Sequence, residues 1–406
     1  MIIPVTFRKL KLAATTFWPS FVYSPMDQTS LASYRSLFPY IHEGLIYLNH
    51  AAASPLSTRV VEAMQRHLTE RSVGPIDTYF KDLESVIGLR SSVARLVNAE
   101  SPDRIAFVGN TSDGLNILAS GLPWKSGDRI LLNDMEFPAN VYPYLNLQHR
   151  GVTIDTVPCP DGRLTPERVA ESLRPTTRAV AISAVQFFTG FRADLAAIGD
   201  LCRSRQVLLL VDGIQAVGAV RIDVQAMKID GMASGAQKWM MAPHGTGFLY
   251  LSERLQDMLH QQFLGWLSVN DPWNFRNYGQ PLAPSARRYE GGTLNYPGLM
   301  GMRASVDTLL EAGMDVVEGR IMALTDHAIH RLEEIPGWTI VSPKDPPCRS
   351  GIVTVRPGSP EDAKRVFEVA LKRKVVISLR EGLLRFSPHF YNTEDEIDEA
   401  LARMAT

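Results

Sequence analysis

This chain has no marked excess of either positive or negative charge. Lysine and arginine number 42 against 43 aspartates and glutamates, for a formal net charge of −1. No basic stripe or like-charge block disturbs that balance, which argues against nucleic acid or an anionic membrane as partner. Cysteine is scarce: Cys159, Cys202 and Cys348 are widely spaced and odd in number. That excludes a disulfide framework or a zinc cluster, leaves no metal expected, and fits a reducing cytosol. Long apolar runs are missing too, none approaching the ~20 residues of a membrane-spanning helix. The expectation is a soluble, cytoplasmic protein. Neither a G-x-G-x-x-G nor a Lys-Ser/Thr phosphate loop occurs, which argues against a nucleotide-binding enzyme.

With 406 residues and 45% hydrophobic content, the chain has material for two domains. Residues 1–25 mix Arg8, Lys9 and Lys11 with apolar residues and a Phe17-Trp-Pro turn. They lack the unbroken apolar stretch of a signal peptide, and read as a dispensable tail ahead of a start at Met26. From Ile46 onward, short apolar runs alternate with helical patterns, the signature of an α/β fold with a mostly parallel sheet. Strands are expected at 104–108, 129–133, 178–183, 207–211 and 247–251. One long helix is expected over 301–332. The domain reading is an N-terminal tail or arm over 1–45, a large domain over 46–298 and a smaller α+β domain over 299–406, with the site between the last two.

The most informative segment is Val207-Leu-Leu-Leu-Val-Asp212-Gly-Ile-Gln215, followed by Ser234-Gly-Ala-Gln-Lys238-Trp. An apolar run fit for a buried parallel strand delivers a carboxylate at its C-terminal end, where open α/β sheets place their ligands. A lysine then stands among small residues. An acid for a pyridinium nitrogen and an amine for a Schiff base are what pyridoxal 5′-phosphate (PLP) requires. Gly109-Asn-Thr-Ser-Asp113 comes between a strand and a helix, suiting either a phosphate cradle or a plain helix N-cap. Phe137, in Glu136-Phe-Pro-Ala-Asn140, suits either stacking on a flat cofactor or ordinary burial beside a proline turn.

These segments, with Ser183-Ala-Val-Gln-Phe-Phe-Thr-Gly190, Glu290-Gly-Gly-Thr293-Leu-Asn and Leu384-Arg385-Phe-Ser-Pro-His-Phe-Tyr-Asn-Thr, resemble the class V aminotransferase family. The likeness runs from about Tyr47 to Leu401. It implies the PLP-dependent transferase fold type I and an enzyme acting on an α-amino acid through Lys238 and Asp212. The resemblance further implies Gln215 at the ring's phenolic oxygen, Phe137 on the ring face, Thr111 and Ser112 at the phosphate, and Arg385 on the substrate carboxylate. Thr293 resembles the threonine that reaches the partner subunit's phosphate, so a homodimer with shared sites is implied. Gln237 stands where many relatives have His. His50 falls where relatives bring N-terminal residues to the substrate, although a structural histidine fits equally. Trp266 and the aromatic stretch 273–278 suit a pocket, a dimer interface or core packing. Cysteine desulfurases carry a nucleophilic cysteine on a loop before the arginine. Here Ile377-Ser-Leu-Arg-Glu-Gly-Leu-Leu-Arg385 is short and cysteine-free. The implied reaction is therefore a C–S or C–Se lyase without a persulfide cysteine, with transamination, epimerisation or kynureninase-like hydrolysis as alternatives. A non-catalytic PLP-fold protein is the alternative of another class.

Overall fold

A computed structural model describes residues 26–405; the tail expected over 1–25 lies outside them. The chain enters through α1 (Gln28–Arg35), β1 (Ile46–Tyr47), α2 (Thr58–Val73) and α3 (Tyr79–Leu96). Next come β2 (Ile105–Val108), α4 (Thr111–Gly121), β3 (Arg129–Asn133), α5 (Tyr142–Leu145), β4 (Thr153–Val157), α6 (Pro166–Ser172) and β5 (Thr177–Ser183). Then follow α7 (Leu195–Ser204), β6 (Leu208–Asp212), β7 (Gly231–Gly235), β8 (Gly247–Leu251) and α8 (Glu253–Met258). The last part holds α9 (Tyr296–Ala312), α10 (Met314–Glu333), β9 (Trp338–Ile340), β10 (Val353–Pro357) and α11 (Pro360–Lys372). It closes with β11 (Val375–Val376), β12 (Ser378–Arg380), β13 (Leu383–Phe386) and α12 (Glu394–Met404).

Strands β2 to β8 form one seven-stranded sheet in the order β2-β8-β7-β6-β5-β3-β4. Only β8 runs antiparallel to its neighbours. Both faces are covered, which is why the strands read as unbroken apolar runs. In β6, Leu209 and Val211 enter one apolar cluster while Leu208 and Leu210 enter the other. Each such buried side chain contributes about 1.5–3 kcal/mol.

All five expected strands are present, and β4 and β7 are additional. β7 reads Gly-Met-Ala-Ser-Gly, poor in β-formers, yet every residue in it is buried. The reason is α4, which lies directly upon it. A Cβ on Gly114 would stand 2.6 Å from the Cβ of Ala233, and one on Gly231 would meet Leu118 Cδ2 at 2.7 Å. Close helix–strand approach, rather than strand propensity, dictates those small residues.

The long helix expected over 301–332 is two helices, broken at Gly313, whose φ of +82° is readily available only to glycine. The boundary expected at 298 falls inside α9, which packs on α2 and α3, whereas α10 packs against β9 and α12. The second unit is an antiparallel sheet, β12-β13-β10-β9. The segment expected as an arm belongs partly to this unit. Within that segment, Arg35 donates to the Tyr391 carbonyl at 2.8 Å and to Glu396 at 2.9 Å, and just beyond it β1, expected in the large domain, pairs in parallel with β11. No helix among the described residues is long and apolar enough to cross a membrane.

Strand β2 is one edge of the large sheet, and Glu290 covers part of it. Its carboxylate accepts from the Phe107 amide at 2.8 Å and takes both Nη atoms of Arg90 at 2.6 and 2.9 Å. Both side chains of the pair are buried. Removing one charge from a buried bidentate pair strands the other, a cost of about 3–5 kcal/mol. Glu290→Gln is therefore expected to lower unfolding free energy by about that amount, read from denaturant midpoints.

Candidate active site

Asp212 ends β6 and is 2% exposed. Its Oδ1 accepts from the Ile214 amide at 3.0 Å, while Oδ2 is sealed from water with no hydrogen-bond partner. A buried carboxylate oxygen in that state needs a donor. Burial, followed in the same direction by the nearby Glu136 charge, lifts the Asp212 carboxyl to about 7; the Ile214 amide and Lys238 oppose the lift.

Lys238 follows β7 on a turn held from several sides. Its carbonyl accepts from Ser54 Oγ at 2.5 Å and from the Met241 amide at 2.8 Å. Trp239 next to it donates its indole N–H to Gln215 Oε1 at 2.9 Å, and the Trp239 carbonyl meets His389 Nε2 at 2.9 Å. Burial pushes the Lys238 amine down to about 8; the Asp212 charge opposes this, and the Arg385 and Arg380 charges add to it. The amine lies 5.8 Å from the centroid of the Phe137 ring. Phe137 is 39% exposed and meets Phe187 edge-on, with centroids 5.1 Å apart.

Thr111 and Ser112 open α4, behind Asn110, whose Oδ1 caps the Asp113 amide at 3.0 Å. Thr111 Oγ1 accepts from the Gly235 amide at 2.8 Å, which leaves its hydroxyl proton free to donate to an anion at the helix N-terminus. Gln237 folds back over Gly235: a Cβ there would be 2.5 Å from Gln237 Oε1 and 3.2 Å from Thr111 Oγ1. Arg385, on β13, is 1% exposed. It donates from Nη1 to the Phe187 carbonyl at 2.6 Å, and its Nε and Nη2 are buried without partners.

Three expected residues need comment. Gln215 is held inside the protein, donating from Nε2 to the Ala51 carbonyl at 3.0 Å and accepting from Trp239, so one amide N–H remains for a ligand. Thr293 is exposed and shares a cleft with Gly109 and Asp113 of its own chain. His50, which suited either a substrate contact or a structural role, is fully buried. Nδ1 meets the Ser387 carbonyl at 2.9 Å and Nε2 the Tyr391 hydroxyl at 2.8 Å. With both ring nitrogens engaged, it ties the N-terminal segment to the second unit.

Sequence reasoning passed over Glu136 and Gln186. The Glu136 carboxylate accepts from Asn133, Asn140, Gln186 and both the amide and hydroxyl of Ser183, tying the ends of β3 and β5 beside Asp212. Both residues lay within quoted motifs, but only the fold shows what converges on them.

A sealed acid and an aromatic face suit a pyridine ring, a desolvated amine suits an aldehyde, and a helix N-terminus suits a phosphate. Fold and site together define a PLP-dependent enzyme. The sequence matches the family described as aminotransferase class-V over residues 46–400. A probable cysteine desulfurase of Methanothermobacter thermautotrophicus is 30% identical over 373 residues, spanning 87% of this chain and 92% of the relative. The isopenicillin N epimerase of Streptomyces clavuligerus is 28% identical, spanning 87% and 92%. Among solved structures, the cystine C–S lyase C-DES with its product cysteine persulfide superposes with a TM-score of 0.82 at 26% identity, covering 90% of this chain and 98% of that one. A C-DES mutant with glycine covalently linked to the PLP cofactor gives 0.83 at 25% identity, covering 91% and 98%. This chain belongs to the class V aminotransferase family, and its cofactor is PLP.

The raised Asp212 carboxyl has a consequence for the cofactor-free chain. Ionising it costs more in the fold than in the unfolded chain, so stability falls as pH climbs from about 3.9, the unfolded value, towards about 7. Asp212→Asn removes that loss. The variant is expected to melt higher than the parent at pH 8 and alike at pH 4, in scans without PLP, while losing turnover in the holoenzyme.

Proposed function

We propose that the chain is a C–S lyase acting on a β-thio-substituted α-amino acid, with no cysteine of its own taking up sulfur. The observation that carries this reading is the connection between β12 and β13. Arg380 pairs with Leu383, leaving Glu381 and Gly382 as a two-residue turn with φ of +48° and +74°, the pattern of a tight hairpin. A desulfurase needs a loop there long enough to bring a thiolate to the substrate. The cysteines lie elsewhere. Cys159 and Cys202 are buried, which pushes both thiols up to about 12, and burial also raises Cys348. None offers the exposed, low-pKa thiolate that attack on sulfur requires.

PLP, when bound, supplies an electron sink that makes the Cα–H bond of an amino acid acidic. Asp212 Oδ2 would accept from the ring nitrogen, Phe137 would cover one ring face, Gln215 would donate its spare N–H to the ring oxygen, and Thr111, Ser112 and Gln237 would hold the phosphate end. Arg385 would take the substrate carboxylate with Nε and Nη2, fixing Cα beside the amine. Lys238 Nζ would then remove the Cα proton, a transfer that its lowered pKa favours near neutral pH. As the Cβ–S bond breaks, its electron pair leaves with sulfur, which takes up a proton as thiol. Water then converts the unsaturated amino acid into pyruvate and ammonium.

Thr293 is exposed, and the rings of Phe80, Trp266 and Phe275, each more than a third exposed, gather around exposed Trp273 in one face, with centroids 5.4, 5.7 and 5.7 Å from its own. So much unburied aromatic surface supports a homodimer across this face. Sedimentation is expected to give a dimer, and Trp273→Glu to shift it towards monomer.

The test of the reaction is to incubate the holoenzyme with a panel of amino acids, scoring sulfide, free thiol, pyruvate, ammonium, alanine and racemised product separately. Pyruvate with sulfide or a free thiol supports the lyase; alanine with sulfur retained on the protein would sink it. The likeness to isopenicillin N epimerase favours a second reading, proton return to the opposite face of Cα, and racemised product without sulfide would select it. Because Lys238 must be neutral to act, turnover is expected to rise with pH through about 8 and then level. Lys238→Arg should cost at least about 10²–10⁴-fold in rate, the usual contribution of a general base.

A further inference from the structure

At the end of the site that holds Arg385, a second guanidinium, that of Arg380, adds one positive charge more than a single substrate carboxylate balances. In the β12–β13 pair, Ser378 stands opposite Arg385 and Arg380 opposite Leu383. Arg380 and Arg385 are therefore diagonal neighbours on one face, about 7–8 Å apart and within reach of long side chains. Both guanidinium charges act on the Lys238 amine. Arg385 spends Nη1 on the Phe187 carbonyl, and its remaining Nε and Nη2, together with Arg380 Nε, are buried without partners. Among the described residues neither arginine forms an ion pair, and the adjacent Glu381 is exposed.

Arginine stays charged at any physiological pH, so the sealed, unpartnered Nε and Nη2 of Arg385 and Nε of Arg380 are a standing cost to the fold. One α-carboxylate on Arg385 would satisfy that residue and leave Arg380 Nε without an acceptor. Arg380 is the more exposed of the two and sits beside the two-residue hairpin. That places it further out, where the side chain of a bound amino acid would extend.

We propose that Arg380 is a specificity-determining residue: it pairs with a second anionic group, a carboxylate or an isosteric sulfonate, on the side chain of the substrate. The inference rests on the reading of the site as one for an α-amino acid. It narrows the substrate to those whose distal end is anionic.

The test uses four-carbon acids that carry no amine and cannot turn over. Holoenzyme, Arg380→Gln and Arg385→Gln are titrated with butyrate and with succinate, following both the cofactor absorption band and the melting temperature. The parent should bind succinate at least about tenfold more tightly than butyrate, the scale of one charge-assisted hydrogen bond. Arg380→Gln should erase that preference while leaving butyrate affinity within about twofold, an effect confined to one charge-assisted contact. Arg385→Gln should weaken both acids. The sulfonate isostere 3-sulfopropionate, run beside succinate, tells which anion the arginine prefers. If Arg380→Gln weakens butyrate and succinate equally, both arginines grip a single carboxylate and the proposal fails. It fails too if the parent shows no preference for the dianion. Melting shifts are also read on the cofactor-free chain, so the arginine pair is still judged if no PLP is taken up and the functional reading itself collapses.

Discussion

Gly114 lies so close to Ala233 that no side chain fits between them, and the rest of the site depends on that contact. It lets α4 rest directly on β7, bringing the first turn of the helix to the end of the strand. There the Thr111 hydroxyl meets the Gly235 amide, three residues before Lys238. A larger residue at either position would lift the helix from the sheet and part the helix N-terminus from the amine. The glycine- and alanine-rich composition of β7 is thus a steric requirement of the site's assembly.

The second governing feature is the handling of charge in a place shut off from water. Asp212 is an acid with one oxygen committed to a backbone amide and the other sealed without a donor. Around it, Glu136 is held by amide, hydroxyl and backbone donors rather than by a cation, so its negative charge bears on Asp212. Opposite stand Lys238, Arg385 and Arg380. The ligand-free protein leaves its buried acid short of a donor and its arginines short of acceptors, and a cofactor and substrate carrying a ring nitrogen and carboxylates would supply both. Such unsatisfied groups are costly in a folded chain, and their concentration at one place marks where binding energy is to be recovered.

Much of this was legible from residue order. The run Val207–Val211 ending in Asp212 read as a strand buried on both faces, as it is, and the lysine among small residues stood out as a candidate amine. Other features escaped for definable reasons. β7 has the composition of a loop because α4, nearly 120 residues earlier in the chain, dictates its side chains. The break at Gly313 separates two helices whose apolar periodicity runs on without interruption. His50 is surrounded by small residues that suit a substrate contact, yet Ser387 and Tyr391, more than 330 residues away, claim both of its nitrogens.

Sequence by itself pointed to the chemistry on offer: an acid at a strand end and an amine among small neighbours follow from local residue order, whereas the arginine stood out only through the family resemblance. It also determined that no thiol stands between residues 377 and 385. Tertiary structure alone decided which polar atoms were left unsatisfied. Gln215 gave half of its hydrogen-bonding capacity to Ala51 and Trp239, whereas Arg380, unremarkable in the sequence, was set beside Arg385 by the hairpin register. Whether a polar atom finds a partner depends on groups brought from distant parts of the chain, and no local pattern of residues records that.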